Sequence, residues 1–324
     1  MKKLLGITGL LLAVFVVTTL LAQQADGSNS FLTAYNLQNL LQRVGMFGIL
    51  SIAAAFVIVT GGIDLSIGAV VCTAGCMLPW LLKDCALPPW LALPLVLLLC
   101  AGIGLWHGIL IVGLRLQPFV VTLCGLLLYR GLMRWFTNDQ TMGLGSDVEG
   151  LRWLANGRIP ITASFGFPVS ALILLVVAVL AAVFFQRTVW GRHLFALGRN
   201  EEAARFSGVA TGRLTILAYV VCSLLAGLAG CLFVLYVNSA GASSFGNFYE
   251  LYAIAGAVLG GVALRGGEGT ILGVVLGSSL MQVLAMAIVI VGSGNQLEFA
   301  IVGAVILLGA AADEGVRRLL RRRR

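Results

Sequence analysis

Three clusters of polar residues interrupt an otherwise apolar chain, and each has its own chemistry. The first is Gly61-Gly62-Ile63-Asp64-Leu65-Ser66-Ile67-Gly68. A carboxylate at membrane depth is costly unless it is paired or faces water. Two glycines beside it let a helix unwind, and non-helical backbone persists there only inside protein or beside a cavity. Two compatible readings follow. In one, Gly61, Gly62, Asp64 and Ser66 belong to a translocation path or gate. In the other, the segment is a tight cytoplasmic turn in which Asp64 caps the next helix through free backbone N–H groups. If Asp64 pairs with a cation, the inner-side candidates are Arg115 and Arg265.

The second cluster lies in the charged loop from Arg187 to Arg213. From Asn200 it reads as a short helix. Asn200 caps it, Glu201 and Glu202 fill its first turn, Ala203 and Ala204 favour helix, Arg205 follows and Gly208 stops it. Phe206 and Val209 give it an apolar side. Such a helix fits a groove on a partner or lies on lipid headgroups, and the residues alone leave both open.

The third cluster begins at Tyr249-Glu250-Leu251, where Glu250 stands favourably at the amino end of an apolar span. It continues through Gly260, Gly261, Gly266, Gly267 and Gly269, a glycine hairpin between two spans on the cytoplasmic side. As a phosphate cradle it is weak, because no Lys-Ser/Thr follows. Its Gly-Gly pair faintly echoes Gly61-Gly62 without amounting to an internal repeat.

The elements that must position these residues are membrane helices. Hydrophobic residues make up 60% of the 324 and charged residues 10%, against about 25% charged in soluble domains. The mean hydropathy is +1.02. Each apolar run approaches the ~20 residues that span a hydrocarbon core. The chain is therefore read as all-α, a single polytopic transmembrane domain of about ten spans. These are Leu4–Leu21, Leu40–Thr60, Ile67–Leu82, Leu91–Val112, Phe119–Phe136, Val169–Phe185, Leu214–Tyr236, Leu251–Leu264, Ile271–Val291 and Phe299–Ala312. The longest polar stretch, Thr137 to Thr162, has no obvious core.

Basic residues set the orientation. With the amino end inside, the inner side collects Lys2, Lys3, Arg115, Arg187, Arg192, Arg199, Arg205, Arg213, Arg265 and the tail arginines Arg317, Arg318 and Arg321 to Arg324. The outer side holds Arg43, Lys83, Arg130, Arg134, Arg152 and Arg158. An even number of spans returns the carboxyl end to the cytoplasm. The opening Lys2-Lys3 and Leu4 to Leu21, with Ala22-Gln23-Gln24-Ala25 behind, resemble a secretory signal. The apolar part exceeds the usual ~7–15 residue signal core, so it reads as an uncleaved first span.

Several classes are excluded. There is no nucleotide-binding Gly-Lys-Ser/Thr loop and no His-Glu-x-x-His metal pattern, and His107 and His193 are the two histidines. No catalytic residue, metal ligand or bound cofactor is expected, so energy must come from a partner or an ion gradient. The net charge of +8 is read as basic loops meeting anionic headgroups of the bilayer, not nucleic acid. The seven cysteines lie mostly inside apolar runs and read as small packing residues. Glycines within spans, such as Gly102, Gly104 and Gly108, Gly227 and Gly230, and Gly273 and Gly277, are expected to let helix backbones approach closely.

With these residues in view, the chain resembles the membrane permeases of bacterial ATP-binding-cassette sugar importers, in the branch serving ribose, xylose, arabinose, galactose, galactofuranose and autoinducer-2. The segment Gly61 to Gly68 is close to that branch's hallmark. Gln117-Pro118-Phe119-Val120-Val121-Thr122-Leu123, followed by Tyr129-Arg130-Gly131, is similar to its fifth-span entry, which adds Phe119 and Thr122 to the candidate path with Glu250. Glu202-Ala203-Ala204 with Gly208 resembles the start of the coupling motif that importer permeases insert into their ATPase. The Ile-x-Leu-Pro that completes that motif is absent. Cys124 and the arginine-only tail also depart from the pattern.

The resemblance implies a permease subunit in the bacterial cytoplasmic (inner) membrane that imports a monosaccharide, a pentose or hexose, and does no chemistry itself. It further implies a cytoplasmic ATPase that uses ATP and Mg, a periplasmic sugar-binding protein, and a second permease subunit, the same or a homologous chain. It resolves Asn200 to Gly208 as a coupling helix. The competing reading is an ion-gradient-driven secondary transporter in which Asp64 carries a proton or binds Na⁺.

Overall fold

The computed structural model describes residues 2–23, 29–146 and 148–290, with positions 300, 303, 304 and 307. The helices are α1 (Lys2–Leu21), α2 (Ala34–Val59), α3 (Ile67–Lys83), α4 (Pro89–Gly113), α5 (Pro118–Thr137), α6 (Glu149–Asn156), α7 (Val169–Arg187), α8 (Val189–Arg199), α9 (Glu201–Phe206), α10 (Thr211–Val237), α11 (Tyr249–Leu259) and α12 (Ile271–Ile290). Short strands β1 (Thr141–Gly143), β2 (Arg158–Pro160), β3 (Gly166–Pro168) and β4 (Ser239–Gly241) complete the described elements.

Seven described helices are long and apolar enough to cross a membrane: α1, α2, α4, α5, α7, α10 and α12. Two more, α3 and α11, are apolar but shorter, with 17 and 11 residues. The expected eighth span to Leu264 stops at Leu259, because the chain turns at Gly260-Gly261. Eleven residues of helix rise about 16 Å, roughly half a hydrocarbon core. The expected tenth span and the arginine tail lie outside the described residues, apart from the isolated positions above.

Helix α2 runs through the centre, packed on α7, α10, α11 and α12. It is buried along almost all its length, which is why it is apolar on every face. Helices α4 and α10 lie backbone to backbone. A methyl group on Gly104 would sit 2.7 Å from the Val220 Cα, and one on Gly108 2.7 Å from the Ile216 Cα. Gly102 faces open space, so the packing role expected of it does not hold. Two residues along a helix turn the side chain about 200° away from Gly104.

At one end of the bundle, β1 pairs antiparallel with β4, Gly143 opposite Ser239, and β2 pairs with β3. The polar stretch that reads as coreless is held here by capping instead. Arg152 Nε and Asn156 Nδ2 each donate to the Leu235 carbonyl at 3.2 Å, satisfying the last turn of α10. Gln42 Nε2 donates to the Ala155 carbonyl at 2.7 Å. At the same end, the exposed Asp139 carboxylate takes a bidentate bond from Arg134, which holds it below the usual carboxylate range.

Candidate functional site

The site is built around the interruption between α2 and α3. Helix α2 closes with Gly61 in the left-handed region, at φ +86°. Gly61 N–H bonds the Ile58 carbonyl at 2.9 Å and Gly62 N–H the Val57 carbonyl at 3.3 Å, the two bonds of a Schellman cap. Helix α11 ends the same way: Gly261, at φ +89°, bonds the Val258 carbonyl at 2.8 Å, and Val262 bonds the Ala257 carbonyl at 3.1 Å. The echo between the two Gly-Gly pairs is thus a shared helix-stop geometry.

Beyond Gly62 the chain runs inward along α10. Asp64 is buried, and its Oδ1 accepts from Ser66 N–H at 2.8 Å and Ser66 Oγ–H at 2.6 Å. Its Oδ2 accepts a weak bond from the Cys222 thiol at 3.6 Å. Cys222 lies near the middle of α10, so the carboxylate stands at half the height of that helix rather than in a tight turn at the bundle end. Asp64 does not cap the first turn of α3. Asp64 takes the N–H of Ser66, the N-cap residue itself, and not those of the first helical turn. Arg115 and Arg265 are exposed, and no ion pair joins either to Asp64 among the described residues.

Glu250, at the start of α11, reaches the same place. Its carboxylate lies against the backbone of Gly68, in the first turn of α3, where a methyl group would run into it. The amino ends of two short helices therefore meet around one buried carboxylate. Positive helix ends offset part of the cost of burying that charge. Arg130 Nη1 donates to the carbonyls of Ala242 at 3.1 Å and Phe245 at 2.6 Å, which ties α5 to the segment before α11. Thr122 is fully buried, its hydroxyl 3.2 Å from the Ile63 carbonyl and 3.0 Å from the Pro118 carbonyl of its own helix, which sets α5 against the interruption. Phe119 is 50% exposed and does not join this group.

Three residues to which the sequence assigns no site role, His107, Tyr129 and Tyr219, pack together against the interruption. His107 Nε2 and the Tyr129 hydroxyl are 2.8 Å apart, and the rings of His107 and Tyr219 stand edge to face at 6.4 Å. The Tyr219 hydroxyl faces Gly62, where a methyl group would approach it to 2.6 Å. Tyr219 Oη, His107 Nδ1 and Ser223 Oγ are buried and make no hydrogen bond among the described residues. A histidine inside an apolar run was the available signal. Cys222, read as packing, is also a donor to Asp64.

The second and third clusters meet at the end of α2. Val59 N–H is inside the helix, but its carbonyl has no partner on α2 and accepts from Gly267 N–H at 2.9 Å. Gly266 and Gly267 take φ +81° and +73° there. Helix α8, absent from the sequence reading, ends against this loop, with Arg199 Nε donating to the Gly267 carbonyl at 3.4 Å. Asn200 then caps α9 as expected, its Oδ1 accepting from Ala203 N–H at 2.9 Å. Gly208 takes φ +81° after the helix. The apolar side is divided: Ala204 is buried, Val209 packs on the core, and Phe206 is 84% exposed.

Residues 36–310 match the family described as the permease component of the branched-chain amino acid transport system. The chain is 32% identical over 314 residues to the ribose import permease protein of Bacillus subtilis (strain 168), covering 97% of this chain and 93% of that one. It is 32% identical over 310 residues to the ribose import permease protein of Escherichia coli (strain K12), covering 95% and 92%. The fructose import permease protein of Rhizobium meliloti is 28% identical over 310 residues, with coverage of 94% and 85%. No solved structure matches the chain.

Proposed function

The chain belongs to the family of permease components of the branched-chain amino acid transport system type, and from this we propose that it is the membrane-spanning subunit of an ATP-driven monosaccharide importer. The relatives named for ribose and fructose import favour a pentose or hexose as cargo and count against the ion-gradient alternative. The subunit hydrolyses nothing itself. A separate cytoplasmic ATPase, using ATP and Mg, drives it, a periplasmic sugar-binding protein delivers the sugar, and a second permease subunit completes the path. The basic asymmetry of the sequence supports ten spans with both ends in the cytoplasm.

The observation that carries the coupling role is α9. It is a capped helix that presents Glu201, Glu202, Arg205 and an 84% exposed Phe206 beyond the bundle. An exposed aromatic beside charged residues suits an anchor in a partner's groove. ATP binding by the partner then shifts the balance between two states of the permease.

The test is uptake of labelled ribose and fructose into vesicles that hold the assembled complex. ATP-dependent uptake is expected, with none from the purified subunit under an ion gradient. Gradient-driven uptake without ATPase overturns the reading. Gly208→Pro and Ala203→Asp should insert normally and uncouple hydrolysis from uptake; full uptake by both would exclude α9 as the coupling element.

A further inference from the structure

We propose that Gly198, Arg199 and the Gly266–Gly267 loop form a mechanical joint, which carries displacement of α9 to the interruption that holds Asp64. This rests on the reading of α9 as the element docked on the ATPase.

The geometry is continuous from one end to the other. Asn200 ends α8, its N–H bonding the Ala196 carbonyl at 3.1 Å, and in the same position caps α9 at 2.9 Å. No free linker separates the two helices, so α9 cannot move without moving the end of α8. That end has a single seat. A methyl group on Gly198 would run into the Val59 carbonyl oxygen. One on Gly266 would lie 2.7 Å from Gly61 N, and 2.9 Å from both the Gly198 and Val59 carbonyl oxygens. One on Gly267 would meet Arg199 N at 2.9 Å. Three backbones therefore touch where no side chain fits: the end of α8, the end of α2 and the glycine loop.

The peptide of Gly267 is gripped from both sides. Its N–H is held by Val59 of α2 and its carbonyl by Arg199 of α8. The other end of α8 is fixed as well, with Gly191 pressed on the backbone of α7, where a methyl group would lie 2.7 Å from the Phe185 Cα. Helix α8 is thus a short lever between α7 and the end of α2. A push on α9 reaches Val59, and Gly61, Gly62 and Asp64 follow directly in the chain. Close-packed contacts of this kind shift between discrete arrangements and do not deform continuously.

The experiment uses the reconstituted complex with its ATPase and measures sugar moved per ATP hydrolysed. Gly198→Ala inserts a methyl group into the joint, and Arg199→Ala removes one grip from an exposed side chain without disturbing the core. Both complexes are expected to assemble and hydrolyse ATP, while sugar per ATP drops about two- to thirty-fold, the range for mutations along a coupling network. A second readout is labelling of Thr60→Cys, which should respond to nucleotide in the parent and lose that response in the variants. Gly102→Ala, which faces open space, is the control. An unchanged ratio in Gly198→Ala and Arg199→Ala overturns the joint. If Gly198→Ala fails to assemble, Arg199→Ala alone decides. A parent complex with no ATP-dependent uptake would instead remove the α9 reading, and the joint with it.

Discussion

Ser66 gives both of its donors to one oxygen of Asp64, its N–H at 2.8 Å and its hydroxyl at 2.6 Å. The second oxygen is left with a thiol 3.6 Å away. One half of the carboxylate is thus committed to holding the chain ahead of α3. The other half retains capacity for a stronger donor, as a group that changes partners between two states requires.

Asp64→Asn separates these halves. The amide oxygen keeps the Ser66 bonds, so the variant should reach the membrane in normal amount and lose most uptake. Asp64→Ala leaves the buried Ser66 N–H without an acceptor and should also lower stability by about 1–3 kcal/mol. Uptake assays paired with thermal unfolding in detergent check both. Wild-type transport by Asp64→Asn would reduce the residue to a local structural bond.

Tyr219 carries an unspent hydroxyl over Gly62. Removing a buried hydroxyl that makes no hydrogen bond among the described residues should be neutral or stabilising by up to about 1 kcal/mol. Tyr219→Phe is therefore expected to unfold at the same temperature or higher. If the hydroxyl is the alternative donor for Asp64, uptake falls at the same time. Equal uptake with equal stability would remove that role.

The α4–α10 contact predicts a contrast between neighbours. Gly104→Ala forces a methyl group into the backbone of α10 and should cost about 1–3 kcal/mol by overpacking. Gly102→Ala meets nothing within 4 Å and should be neutral or slightly stabilising, since alanine is the better helix former. Thermal unfolding of the two variants side by side is the measurement, and equal shifts would refute the packing assignment.

Topology can be read by cysteine labelling in a cysteine-free background. Gln140 precedes β1 and Ser239 opens β4, and the pairing of these strands puts both positions at one end of the bundle. Both should label from outside, and Asn200, at the start of α9, only from inside. Labelling of Asn200 from outside would invert the orientation.

Much of the fold was legible locally. The ends of α1, α3, α4, α5, α7, α10 and α12 fall close to the edges of the apolar runs, because membrane helices announce themselves by composition alone. Asn200 as a cap and Gly208 as a stop were equally visible, since a cap is made by residues a few positions apart. Helix α8 was missed because its charged residues, Arg192, His193 and Arg199, hid the buried Leu194 and Leu197.

Composition and local pattern were enough for a polytopic helical chain, for the stops of most of its long helices, and for the likeness of its motifs to sugar importer permeases. What those stops meet depends on packing between distant segments. That packing brings Glu250 to the amino end of α3, Thr122 to Ile63, Cys222 to Asp64 and Gly267 to Val59. Composition and local propensity act over a few residues, whereas these contacts join positions 59 to 208 apart in the chain. They exist because helix ends leave backbone groups unsatisfied, and inside an apolar bundle those groups must find partners wherever packing delivers them.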